Sequence, residues 1–87
     1  MGKSWRIFAH PDYFRRFREV VLNPDERFKV TTQLRAFLKG IHNPSRALTP
    51  VPGESNQFEL DLLHYTIIVH WHEREPDDIR LLEIYER

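Results

Sequence analysis

The chain has 87 residues, 40% hydrophobic and 13% aromatic, which fits one small globular domain spanning residues 1–87 and excludes a disordered chain. It contains no cysteine, so a disulfide framework and a thiolate zinc site are excluded. Its zero net charge is split: residues 1–46 hold ten Lys/Arg against four Asp/Glu (+6), and residues 47–87 hold three against nine (−6).

Charge asymmetry of this kind bears on partners rather than on fold. The basic half suits an anionic partner, and the acidic half should repel RNA. A chain of this length buries roughly 60–65% of its unfolded surface, enough for one thin core. The start, MGKSWRIFAHPDYF, lacks the apolar stretch of a signal peptide, and no run approaches membrane-spanning length. A cytoplasmic protein with no membrane partner is expected. The opening Met-Gly-Lys-Ser invites a myristoylation reading, but that pattern wants Ser or Thr at position 6, where Arg6 stands.

Taken in chain order, Ser4–Ala9 alternates Trp5, Ile7 and Ala9 against Ser4, Arg6 and Phe8, which predicts a strand at a sheet edge. Pro11 suits a first helical position and Asp12 suits the dipole of a first turn. Phe14, Phe17 and Val21, with Tyr13 and Val20 beside them, form an apolar stripe on a helix over about residues 11–22. Asn23-Pro24-Asp25 ends that helix and starts another, with Asn23 as N-cap and Pro24 at the first position. Val30, Leu34, Phe37 and Ile41 then recur at helical spacing, flanked by Phe28 and Leu38, and Gly40 can end the helix. The two helices make an αα-hairpin.

The segment 42–56, HNPSRALTPVPGESN, has three prolines, a glycine and little periodicity, and reads as a long loop or crossover. Strands are predicted at Gln57–Leu62, Tyr65–His72 and Ile79–Tyr85. On the first, Phe58, Leu60 and Leu62 face inward while Glu59 and Asp61 face out. On the second, Tyr65, Ile67, Val69 and Trp71 share one side, and Thr66, Ile68, His70 and His72 the other. The third is apolar on both faces, so a central place is expected. The order β-α-α-β-β-β predicts an α+β fold, a small antiparallel-rich curved sheet packed on a helical hairpin.

Several pieces together carry a resemblance: a first strand running into a helix (WRIFAHPDYFRRF), a second helix ending before Asn-Pro (LRAFLKGIHNPSRAL), a hairpin (FELDLLHYTIIVHW) and a final hydrophobic strand with a polar stub (IRLLEIYER). In order and pattern, across nearly the whole chain, the sequence resembles the RelE/ParE superfamily of bacterial toxins. The resemblance implies an antitoxin that wraps the domain. In the RNA-cutting branch it implies a face of lysines and arginines, often with a histidine, glutamate or tyrosine, that clamps phosphates, activates the ribose 2′-hydroxyl and protonates the leaving oxygen. RNA or the ribosome would then be the target. The sequence departs from that pattern where basic residues are usual: Glu59 and Asp61 stand on the first hairpin strand, and Thr66 follows the hairpin tyrosine. Tyr85 and Arg87 match the family's C-terminal stub.

The catalytic candidates are therefore His64, His70, Tyr85 and Arg87, with Arg46 as an anion or RNA phosphate clamp. His70 and His72 with Glu59 or Asp61 would make a metal site only if the strand register set them opposite each other, and no metal or cofactor is expected. Tyr65 and Trp71 read as core rather than as base-stacking platforms. Arg15, Arg16, Arg18, Lys29, Arg35 and Lys39 dot the helical hairpin, either as a solvated face with pairs such as Arg15–Glu19 or as a docking surface for an acidic partner or nucleic acid. Two functions follow as expectations. One is a toxin-like component of a toxin–antitoxin system, bound by an antitoxin and cleaving mRNA. The other is a non-catalytic interaction module of the same fold, whose charged halves serve partner docking or self-association.

Overall fold

A computed structural model describes residues 3–87. Met1 and Gly2, and with them the myristoylation reading, lie outside the described residues. The elements are β1 (Arg6–Ala9), α1 (Pro11–Val20), α2 (Pro24–Lys39), the single-turn α3 (Pro44–Ala47), the two-residue β2 (Thr49–Pro50), β3 (Gln57–Leu62), β4 (Tyr65–His70) and β5 (Asp78–Glu86). The sheet runs β1-β5-β4-β3-β2, with β1 parallel to β5 and every other pair antiparallel. This is the expected α+β architecture, built on a mixed, open five-stranded sheet. No helix among the described residues is long and apolar enough to cross a membrane.

Local signals explain the helix starts. The Nδ1 atom of His10 accepts from the Asp12 N–H at 3.1 Å, so this histidine caps α1 ahead of Pro11. Asn23 Oδ1 accepts from the Asp25 N–H at 2.8 Å and caps α2 ahead of Pro24. Asn43 and Pro44 repeat the same signal: Asn43 Oδ1 accepts from the Ser45 N–H at 3.0 Å and opens α3. The segment 42–56 is thus not a featureless loop. It carries one helical turn and then β2, which pairs Thr49 with Glu59 and Pro50 with Phe58 at the edge of the sheet. Proline is tolerated there because an edge strand has an unpaired side.

The core lies between one sheet face and the helices. Leu60, Ile67 and Ile84 are fully buried and stand side by side across β3, β4 and β5. Val30, Leu34 and Leu38 of α2 and Tyr13 and Val21 at α1 close over them. The alternation expected for β3 holds, with Phe58, Leu60 and Leu62 buried and Asp61 exposed. Two helix expectations need correction. Phe14 is 57% exposed and Phe37 39%, so the covered stripes are Tyr13–Phe17–Val21 and Val30–Leu34–Leu38. The surface pairs are Arg15–Asp12 at 3.4 Å and Arg16–Glu19 at 3.5 Å, an i,i+3 spacing rather than Arg15–Glu19.

Strand β5 is interior, flanked by β1 and β4, although the middle strand is β4, buried from Tyr65 to Val69. A bulge between Ile68 and Val69 shifts its register against β5. β4 stops at His70, two residues short of expectation. Just beyond the strand, Trp71 continues the β3–β4 register by giving its backbone N–H to Asn56 O at 3.0 Å, and gives its indole N–H to Pro76 O at 3.1 Å. His72 then caps the following turn, its Nδ1 accepting from the Arg74 N–H at 3.0 Å.

Candidate functional site

Two surfaces bear chemistry. The first is the sheet face turned away from the helices. The register puts Asp61 opposite Thr66 and Thr66 opposite Tyr85, so these three form a row across β3, β4 and β5. Thr66 Oγ1 donates to Asp61 Oδ1 at 2.7 Å. Arg87 reaches the same corner. Its backbone N–H donates to His64 O at 2.8 Å, its guanidinium donates to Leu63 O, and Nη1 lies 3.6 Å from Asp61 Oδ2. Tyr85 and Arg87 are therefore neighbours of one corner, held around Asp61.

The other sequence candidates are elsewhere. His64 sits in the β3–β4 turn, where Leu63 has a φ of 55°. Its imidazole turns toward the helices and pairs with Glu26 Oε1 at 2.9 Å. His70 ends β4 opposite Arg80 and Gln57. It lies four residues along the strand from Thr66, about 13 Å at the usual strand rise. Arg46, on α3, is exposed, at the β2 edge three strands from β5. His64, His70 and the Tyr85–Arg87 pair do not converge on one point. Nor does the register set a carboxylate opposite His70, since Glu59 faces Ile68 and Asp61 faces Thr66.

Electrostatics on this face are mostly self-contained. Arg6 Nε donates to the buried Asp78 at 2.6 Å, Arg80 pairs with Glu75 at 3.2 Å, and Arg80 also lies over the Phe8 ring. Each arginine of the face thus has a carboxylate partner. The imidazole of His70 is partly covered, and its Nδ1 is buried without a hydrogen-bond partner. Burial, and then the positive charge of Arg80, hold its pKa below the ordinary 6.5. The folded protein therefore keeps His70 neutral where an unfolded chain would begin to protonate it. Stability from this group is present above pH 6.5 and is lost as pH falls below that value. The C2 proton of His70 is expected to titrate below 6.5 in an NMR pH series; a midpoint at or above 6.5 would contradict the burial.

The second surface lies on the helical side. Helices α1 and α2 part above the β1 edge and leave a cleft of about 580 Å3. Its walls are Ile7 and Ala9 of β1, Phe14 and Phe17 of α1, and Phe28 and Leu34 of α2. Phe28 is 74% exposed, which is unusual for so large an apolar side chain. A second hollow, of about 350 Å3, continues along β1 past Trp5 and Lys39 and shares Ile7 and Arg35 with the first. The cations of this trough are Lys3, Arg18, Arg27, Arg35 and Lys39, and no carboxylate lines either hollow. Arg27 is spent on the end of α1, donating to Val21 O at 2.6 Å, and Lys3 pairs with Asp77 at 3.4 Å. Arg18, Arg35 and Lys39 have no carboxylate partner among the described residues.

The basic docking surface expected from the sequence includes these three cations, but the trough beneath them is not expected from it. Its signal is Phe14 on α1 and Phe28 on α2, apolar positions outside the stripe that each helix buries. No protein-family model matches the chain, and no curated protein matches it.

Proposed function

We propose that this protein is a non-catalytic protein-binding domain, built on a RelE/ParE-like arrangement, that takes a segment of another protein into the trough between α1, α2 and β1. One observation carries the reading. The unpaired positive charge of the helical half stands over an apolar trough, whereas the arginines of the open sheet face are already matched by carboxylates. An RNA-cleaving face needs unspent cations where phosphate charge develops, and here Asp61 and Glu59 occupy that face. An antitoxin is the kind of partner the family resemblance suggests.

A second reading is favoured by the corner at Asp61. Tyr85, Arg87 and Thr66 lie together there, and a toxin-like ribonuclease would use Tyr85 as proton donor and Arg87 as phosphate clamp. The two readings part on induced expression in bacteria. As a binding domain, the wild type and the Tyr85→Phe/Arg87→Ala variant are expected to leave growth unchanged at equal soluble yield. Growth arrest by the wild type that the double variant abolishes would replace the binding-domain reading with the toxin reading.

A further inference from the structure

Strand β1 is the outermost strand on its side of the sheet and pairs only with β5. The N–H groups of Arg6 and His10 donate inward, to Asp77 O at 2.8 Å and Leu81 O at 2.9 Å. In a parallel ladder the donors facing a given neighbour recur at every second residue, so the N–H and C=O groups of Ile7 and Ala9 point away from the sheet. Nothing among the described residues pairs with them. The same two residues line the trough with their side chains. An open row of backbone donors and acceptors therefore runs beside an apolar hollow with an unmatched basic rim.

Resting on the binding-domain reading, we propose that the partner segment joins the sheet as a sixth strand. It pairs with the free edge of β1, and on its helix-facing side, which holds every second residue, it both seats apolar side chains in the trough and presents carboxylates to Arg18, Arg35 and Lys39. An open edge strand is a template for just such addition. The rim chooses the occupant. A second copy of this chain pairing β1 with β1 would bring two unmatched basic rims together, which like-charge repulsion disfavours. An acidic extended segment neutralises the rim.

The probe is a short capped peptide in which serine alternates with a helix-facing set of valine and glutamate by turns (Ser-Val-Ser-Glu-Ser-Val-Ser-Glu-Ser), set against one with lysine in place of glutamate. Added to the isotope-labelled protein, the glutamate peptide is expected to shift the amide signals of Ile7 and Ala9 and slow their hydrogen exchange; the lysine peptide is expected to do neither. Ala9→Pro removes one outward donor and leaves the bonds from Arg6 and His10 in place. It should weaken binding about tenfold, the scale of one lost hydrogen bond with some steric interference. Arg18→Glu with Arg35→Glu, both at exposed positions, should reverse the preference between the peptides, and this pair stands if the proline variant folds poorly.

Glutamate-peptide binding that leaves the Ile7 and Ala9 amides unprotected, equal binding of the lysine peptide, or no binding at millimolar peptide would each overturn strand addition. Protection of the same amides by rising protein concentration alone would also overturn it, in favour of a second copy. The underlying binding-domain reading fails on a separate readout, growth arrest that depends on Tyr85 and Arg87.

Discussion

Replacing Ile67 with alanine is expected to destabilise the domain by about 2–5 kcal/mol, against a total of about 5–15 kcal/mol for a protein of ordinary stability. Ile67 is fully buried on the middle strand, between the equally buried Leu60 and Ile84. Neighbours on two paired strands cannot close inward without breaking register, so most of the vacated volume would stay empty. The comparison is Phe28→Ala. Phe28 is the larger side chain but stands 74% exposed at the rim of the trough, and its loss should change stability by about 0.5 kcal/mol or less. Urea unfolding of the two variants checks the ordering. A Phe28→Ala penalty equal to that of Ile67→Ala would mean that the trough is closed and its walls belong to the core.

The second large effect is expected at Glu26. Its Oε1 atom accepts from the Tyr65 hydroxyl at 2.9 Å and lies 2.9 Å from His64 Nε2, and so ties the first turn of α2 to the β3–β4 turn. Tyr65 is only 2% exposed, which leaves its hydroxyl few alternatives. Glu26→Ala strands that donor and should cost about 1–3 kcal/mol, whereas Tyr65→Phe removes the donor itself and should cost about 1 kcal/mol. Burial, and then the hydrogen bond to Glu26, raise the Tyr65 phenol from 10.0 to about 12. The native state thus holds this proton more tightly than the unfolded chain does. The stability linked to it is fully present below pH 10 and is lost as pH rises toward 12. Tyr65→Phe should flatten that part of the alkaline stability profile. An unchanged profile, followed by tyrosinate absorbance and circular dichroism together, would contradict the linkage.

Much of the architecture was legible because single residues carry strong local signals. Asn23-Pro24 marked a helix start, and the alternation of Phe58, Leu60 and Leu62 gave the buried face of β3. Asn43-Pro44 carried the same helix-start signal, but α3 is only one turn, too short for any periodic stripe to reinforce it. The exposed phenylalanines were harder. Spacing places Phe14 beside Phe17, but whether a neighbouring element covers that flank depends on how far apart α1 and α2 sit, and this is set by tertiary packing. The candidate site was less legible still. Tyr85 and Arg87 share a face by their spacing, but they meet Thr66 and Asp61 because the register sets Thr66 opposite Tyr85 and because the backbone of Arg87 crosses to His64, and neither of these follows from spacing along the chain. His72, which the sequence offers with His70 as a metal ligand, instead caps a turn with its ring nitrogen.

The parallel union of β1 with β5 also governs the order in which the protein can be assembled. Arg6 finds Asp78 across a separation of 72 residues, so β1 is synthesised well before the strand that pairs with it. The β3–β4 hairpin closes locally and can form first, while β1 must wait, and contacts so distant in sequence slow the search for the native state. For that interval a short apolar strand with both edges unoccupied is open to any other chain, which makes the waiting amino-terminal segment the point where misassembly on the ribosome would begin.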